Sequence, residues 1–161
     1  AGQQSPQAYL HDIATQLTQY SGFNLLVGDQ HSMWYLSSTE PRPVRLSAGI
    51  YALCNASLDT PWPKLVRVRS AFAQHLDATD QVLFELMHDE HRADDDQLPD
   101  TGVGLAMERM LSSIFIRGEA YGTRVTSLLR RSSEGVTTLT ERSYAMHGEY
   151  TGQVQVQVPR S

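Results

Sequence analysis

The sequence predicts an α+β fold, with antiparallel strands in two batches and helices before and between them. Three observations carry that prediction. Apolar residues recur at helical spacing over residues 6–20 and again after Thr60. Two short apolar runs, 23–28 and 32–37, flank turn material, and from Tyr121 onward the period changes to two. At 161 residues the chain can bury one sizeable core, and it is read as a single domain over 1–161 with no internal repeat or linker.

Each element has its own signal. Ser5-Pro6 caps and opens the first helix, Tyr9, Ile13, Leu17 and Tyr20 form its stripe, and Gly22 ends it. Gly28-Asp29-Gln30-His31 joins the runs 23–28 and 32–37 as a β-hairpin. Pro41 and Pro43 break the chain, so the third strand is expected at about 49–54, and the apolar character of these strands predicts that both faces are covered. Thr60-Pro61-Trp62-Pro63 starts a second helix with Leu65, Val68, Phe72 and Leu76 inward and Arg67 and Arg69 pointing away. Asp80 starts a third, with Val82, Leu83, Leu86 and Met87 inward, and the acidic stretch 88–100 reads as a mobile surface loop. A short helix near 105–111 leads to Ile114-Phe115-Ile116. Strands at about 123–131 and 136–144 then make a hairpin around Ser132-Ser133-Glu134-Gly135. The last strand alternates Val154, Val156 and Val158 with Gln153, Gln155 and Gln157, which predicts one buried valine face and one wet glutamine face.

Charge and composition exclude several functions. Eighteen acidic against 13 basic residues give a net charge of −5, without the basic footprint that nucleic acid requires. No apolar run approaches the roughly 20 residues of a membrane helix, so no transmembrane segment is expected. The single cysteine, Cys54, excludes an internal disulfide and a cysteine-rich zinc site, and it suits a reducing, cytoplasmic setting. Lys64 is the single lysine, which argues against Schiff-base chemistry. No metal or cofactor is expected. His88-Asp89-Glu90-His91 lacks the four-residue histidine spacing of a zinc helix, and Thr101-Gly102-Val103-Gly104 lacks the strand that precedes a phosphate loop.

Two clusters are suited to chemistry. Around Cys54-Asn55-Ala56-Ser57-Leu58-Asp59-Thr60 a strand gives way to a helix, and rigid elements hold a loop between them. Asn55 there can donate N–H bonds to a developing oxyanion; the alternative is that Asn55 and Asp59 only tie the turn and cap the helix. Cys54 reads as an inert strand thiol. In Tyr121-Gly122-Thr123-Arg124 the glycine allows close backbone approach, and Arg124 can clamp a carboxylate or steady a nucleophile; the alternative is a strand arginine paired with a surface acid.

The segments Phe23–Asp29, Asn55 with Leu58–Lys64, Leu98–Gly102, Ser112–Ile116, Tyr121–Arg124 and Thr140–Arg142 together resemble the transport and Golgi organisation protein family, also called NRDE after an Asn-Arg-Asp-Glu motif. Members of that family begin with a cysteine directly after the initiator methionine and then carry that motif. This chain has neither, so the resemblance implies the C-terminal two-thirds of a member, without its N-terminal segment. The family is similar to the N-terminal nucleophile hydrolases, an α/β/β/α sandwich whose cysteine members cleave linear amides. What the resemblance implies here is an oxyanion-supporting asparagine at Asn55, an arginine near the nucleophile at Arg124, and a nucleophile outside this chain. Cys54 stands where the family usually has serine.

Two functional readings follow. One is an amide hydrolase acting on a small-molecule substrate. The other is a non-catalytic carrier of a hydrophobic ligand, haem or lipid, since the family is also tied to haem mobilisation and lipid handling. In either case a missing segment would leave unpaired strand edges, so a homo-oligomer through an exposed strand edge is expected, with the valine strand involved.

Overall fold

A computed structural model describes residues 3–158. The chain divides into two compact units, Ala1–Thr60 and Pro61–Ser161. Among the described residues there are four α-helices and two three-stranded antiparallel sheets, which is the predicted α+β class.

The first unit is a helix on a sheet. Helix α1 spans Pro6–Ala14; Ser5 caps it by accepting the Ala8 N–H at 3.2 Å, and Pro6 fills a first-turn position where an N–H has no partner. The helix stops short of residue 20, because the N–H groups of Thr15 and Gln16 turn back onto Asp12 and Ile13 in tighter turns before a 3-10 turn at Leu17–Gln19. Strands β1 (Asn24–Gly28) and β2 (Met33–Ser37) form the expected hairpin. Its turn is closed by Asp29, whose carboxylate accepts the N–H groups of His31 and Ser32 at 2.8 Å each. Helix α1 lies across all three strands, and Leu10 on the helix and Leu36 on β2 are completely buried.

The third strand is not where the sequence suggested. Strand β3 is Glu40–Leu46, prolines included, and it pairs with β2 alone; residues 49–54 form a loop. Pro41 and Pro43 are tolerated because an edge strand leaves alternate N–H positions unpaired. Nor are both faces covered. Tyr35 is buried, but its cross-strand partners Leu26 and Val44 are 45% and 44% exposed, so one face of this sheet keeps aliphatic surface in view.

In the second unit, α2 spans Pro63–Ala73 with Leu65 as its buried residue, and α3 spans Asp80–Met87 with Leu83 and Phe84 buried. Phe72, Leu76 and Met87, expected inward, are substantially exposed. Arg67, expected to point away, instead bonds Asp89 at 2.6 Å and the His91 carbonyl at 3.2 Å. Helix α4 spans Leu105–Leu111 as predicted. Strands β4 (Val125–Arg131), β5 (Thr137–Tyr144) and β6 (Tyr150–Val158) form the second sheet in chain order.

On the second sheet the covered side is the one carrying Thr126 on β4 and Thr140 on β5, while along β6 the glutamines are exposed as expected and the valines, expected buried, are exposed as well. The register places Thr126, Arg130, Thr140, Arg142, Gln153 and Gln155 on one side. Helix α3 packs against β4 on that side. Arg130 donates to Asp80 at 2.6 Å and to the Ala78 carbonyl at 2.6 Å, while Arg142 sits 4.0 Å over the Phe84 ring and reaches Gln81 at 2.8 Å. Thr140, 2% exposed, accepts from Gln155. The other side carries Val125, Leu129, Leu139, Val154, Val156 and Val158, and each of them is at least 40% exposed. Alternation located the strand correctly. Helix α3 docks on that side with Leu83 and Phe84 buried, and Arg130 and Arg142 add the ion pair, the Gln81 bond and the cation–π contact around them.

Candidate functional site

The loop that carries Asn55 is built almost entirely from polar contacts of the first unit. Asp59 makes the turn: it adopts φ +54°, a left-handed conformation that aspartate tolerates, its N–H donates to the Ala52 carbonyl at 2.7 Å, and its carboxylate accepts the Ala52 N–H at 2.8 Å. A single bridge between Leu53 and Leu58 closes the segment above it. Ser57 and Thr60 hydroxyls lie 2.8 Å apart, and Thr60 also donates to the Ser57 carbonyl at 3.1 Å.

Two strand residues then strap this loop to the sheet. Asn24 on β1 donates to the Cys54 carbonyl at 3.1 Å, Tyr35 on β2 donates its hydroxyl to the Asn24 side-chain oxygen at 2.5 Å, and the Leu58 N–H donates to that same hydroxyl at 3.2 Å. The relay runs from one side of the loop tip to the other. Asn55 sits at the tip, and its side chain is exposed with no hydrogen bond among the described residues. Of Asn55 and Asp59, it is the Asp59 side chain that ties the turn. Neither residue caps α2, whose N-cap is Trp62. Cys54 is half-buried, with Sγ 3.7 Å from the Ser57 carbonyl.

Arg124 belongs to the second unit, immediately before β4. Its backbone is fixed, since its carbonyl accepts the Tyr144 N–H at 2.8 Å. Just upstream, Thr123 and Ile116 exchange two bonds, Thr123 N–H to the Ile116 carbonyl at 2.8 Å and Ile116 N–H to the Thr123 hydroxyl at 2.9 Å. Gly122 permits this approach, because a Cβ there would lie 2.9 Å from the Ile116 carbonyl oxygen. The guanidinium of Arg124 is exposed and has no hydrogen bond or ion pair among the described residues, so the strand-arginine alternative with a surface acid is not what the structure holds.

The acidic stretch 88–100 is tied down by arginines. Glu90 receives Arg117 on both oxygens, with the closest approach 2.7 Å, and Arg117 also donates to the His147 carbonyl at 2.6 Å. Asp95 receives Arg109 at 2.5 and 2.7 Å. Arg117 therefore holds the Glu90 carboxyl below its ordinary range, with partial burial opposing and nearby His88 assisting. Burial pushes Asp89 upward, but the His91 N–H and Arg67 outweigh it, so its carboxyl also lies low. Sequence reasoning missed the packing beneath this loop. His88 stacks on Phe115 with ring centres 3.8 Å apart, and Tyr144 meets Phe115 edge-on at 4.9 Å. Lys64 is engaged as well, donating to the Leu111 carbonyl at 2.7 Å. An open groove of about 580 Å³ lies beside α2, lined by Pro61, Pro63, Val66, Arg67, Ser70 and Gln97. No helix among the described residues is long and apolar enough to cross a membrane.

Comparison with known proteins adds to this geometry. The model of the family described as Transport and Golgi organisation 2 matches residues 1–146. The human Transport and Golgi organization protein 2 homolog is 31% identical over 153 residues, a match covering 84% of this chain and 55% of the human protein. The bovine homolog is 30% identical over 158 residues and the mouse homolog 29% over 153, with the same shares covered. The chain thus spans about half the length of the curated relatives it matches.

Proposed function

This chain belongs to the Transport and Golgi organisation 2 family, and on that premise we propose that it serves a cysteine-type amide hydrolase of the N-terminal nucleophile kind. In this reading its two antiparallel sheets contribute to an α/β/β/α sandwich, it is the C-terminal portion of the family domain, and the nucleophile comes from residues outside it. Asn55 supports the oxyanion formed when a linear amide is attacked, and Arg124 steadies the thiolate by charge.

The observation that supports this reading best is the state of Asn55. Its amide is exposed and uncommitted, while the backbone on both sides of it is held by Asn24, Tyr35 and Asp59. A donor carried on held backbone without being consumed suits oxyanion stabilisation, since its bond forms only as charge develops. The test uses a family protein that carries the upstream cysteine as well as these residues. That cysteine should be acylated by electrophilic amide analogues, and Asn55→Ala should slow the reaction on the order of 10²-fold. A cysteine that stays unmodified, or an equal rate in Asn55→Ala, would count against the assignment.

The exposed aliphatic face of the second sheet favours a second reading, carriage of haem or lipid. Titration of the chain with haem, followed by absorbance, separates the two. Saturation at one equivalent supports carriage; a linear, non-saturating response removes it.

A further inference from the structure

We propose that the outer edge of β6 is a self-association edge whose occupant is β6 of a second copy of this chain, paired antiparallel about a two-fold axis at Gln155. The inference stands independently of amide chemistry, because every residue that makes the proposed contact lies in β6.

An edge strand presents a row of unpaired N–H and C=O groups, and proteins usually blunt such edges with charge, proline or shortness. Three of the four sheet edges here are blunted. Strand β1 has only five residues; β3 contains Pro41, Pro43, Glu40, Arg42 and Arg45; β4 ends in Arg130-Arg131. Strand β6 has none of these devices. It runs for nine residues, Tyr150–Val158, with no charge and no proline, and among the described residues it is paired with β5 on one side only. The register shift in its pairing with β5 falls between Ser143 and Tyr144, which leaves 152–158 regular. A Cβ placed on Gly152 would meet nothing within 4 Å.

The identity of the occupant follows from symmetry and charge. A two-fold axis maps one patch onto itself, so the strand must complement its own sequence read backwards. Centred on Gln155, an antiparallel pair sets Val154 opposite Val156 of the second copy, Gln153 opposite Gln157, and Gln155 opposite itself. Valines therefore meet valines on one face and glutamines meet glutamines on the other, which a shift by one residue would destroy. The chain carries a net charge of −5, yet this strand carries none, so the two copies meet where repulsion is weakest. Pairing over 152–158 supplies roughly six to eight backbone hydrogen bonds, toward the low side of a typical interface, so the dimer should depend on concentration.

The test is sedimentation equilibrium of the whole chain across a range of concentrations, with melting and far-UV circular dichroism confirming that each variant folds. V154K/V156K places like charges directly opposite in both symmetric pairs and should weaken dimerisation at least about tenfold. V154K/V156E places opposite charges there and should restore it. As an independent readout, Q155C in a Cys54→Ser background should form a disulfide-linked dimer under mild oxidation, because directly opposed Cα atoms lie within disulfide reach. G152C, whose partner in this register is Val158, should not. A wild-type chain that stays monomeric at every concentration overturns the proposal. A dimer in which Q155C fails to cross-link, or in which V154K/V156E is as weak as V154K/V156K, overturns the edge pairing in favour of face-to-face packing of the valines.

Discussion

Tyr35→Phe is the sharpest probe of how the Asn55 loop is held. The substitution keeps the buried ring and removes only the hydroxyl, which donates to Asn24 at 2.5 Å and accepts from the Leu58 N–H at 3.2 Å. Each of those bonds is worth about 1 kcal/mol net, and a group left without a partner costs somewhat more when water cannot reach it. Asn24 and Leu58 are half-buried, so water recovers part of the loss. The expected destabilisation is about 1.5–2.5 kcal/mol, read from equilibrium urea unfolding by tryptophan fluorescence with the m-value unchanged. Asn24→Ala removes the bond to the Cys54 carbonyl as well, so the two substitutions act on one relay and should couple by about 1 kcal/mol in a double-mutant cycle. Hydrogen exchange should accelerate at the Leu58 amide while β2 stays protected. A loss under about 0.5 kcal/mol, or strict additivity of the two substitutions, would mean that the relay does not hold the loop.

Two further perturbations test other parts of the structure. Gly148 has φ +71°, and a Cβ there would lie 2.7 Å from the Phe115 ring, which is 1% exposed. Gly148→Ala should therefore cost about 2–4 kcal/mol and lower the melting temperature by roughly 5–15 °C, whereas a melt like the parent's would show that the aromatic cluster yields. The pH dependence follows from Glu90, lowered chiefly by Arg117, and Asp89, where the His91 N–H and Arg67 overcome the upward push of burial. Both carboxyls bind protons less readily folded than unfolded, so their stabilisation is present at neutral pH. It is lost as pH falls below about 4.5 and through the lowered folded values. Arg117→Met should flatten that acid limb in unfolding measured from pH 6 to pH 2, and an unchanged slope would contradict the assignment.

How much of this was legible in the sequence depends on which physical signal each element carried. The β1–β2 hairpin, α4 and the β4–β5 hairpin announce themselves through local turn chemistry and periodicity, and local signals survive tertiary context. Strand β3 was hidden because Pro41 and Pro43 forbid a central strand, and nothing in the sequence says that this strand lies at an edge. Strand β6 was found by its alternation, and its glutamines are exposed as expected, but its valines are exposed too, because helix α3 covers β4 and no element among the described residues packs on the valine side of β6. The stacking of His88 on Phe115 joins residues far apart in sequence, and no spacing rule reaches that far.

The residues that carry the family resemblance divide by what their side chains are already doing. Asn24 and Asp59 spend their polar groups shaping the 52–60 loop. Thr101 is held by Glu108, which is 6% exposed and accepts both its N–H at 2.7 Å and its hydroxyl at 2.5 Å. Thr123 fastens Ile116, Ser112 accepts the Ala93 N–H at 3.0 Å, Lys64 holds Leu111, and Arg142 bridges Gln81 and Gln153. A motif residue committed in this way explains its presence through the fold alone. Asn55 and Arg124, together with the exposed Tyr121, are not committed among the described residues, although the backbone around Asn55 and Arg124 is firmly anchored. Anchored backbone with an idle polar side chain gains nothing for folding, since an exposed amide or guanidinium is already satisfied by water. It is this contrast with their neighbours that supports the role proposed for Asn55 and Arg124. Asn55→Ala and Arg124→Ala should each change the stability of the chain by no more than the roughly 0.5 kcal/mol expected of an uninvolved surface residue, and a larger loss in urea unfolding would mean that these side chains serve the fold.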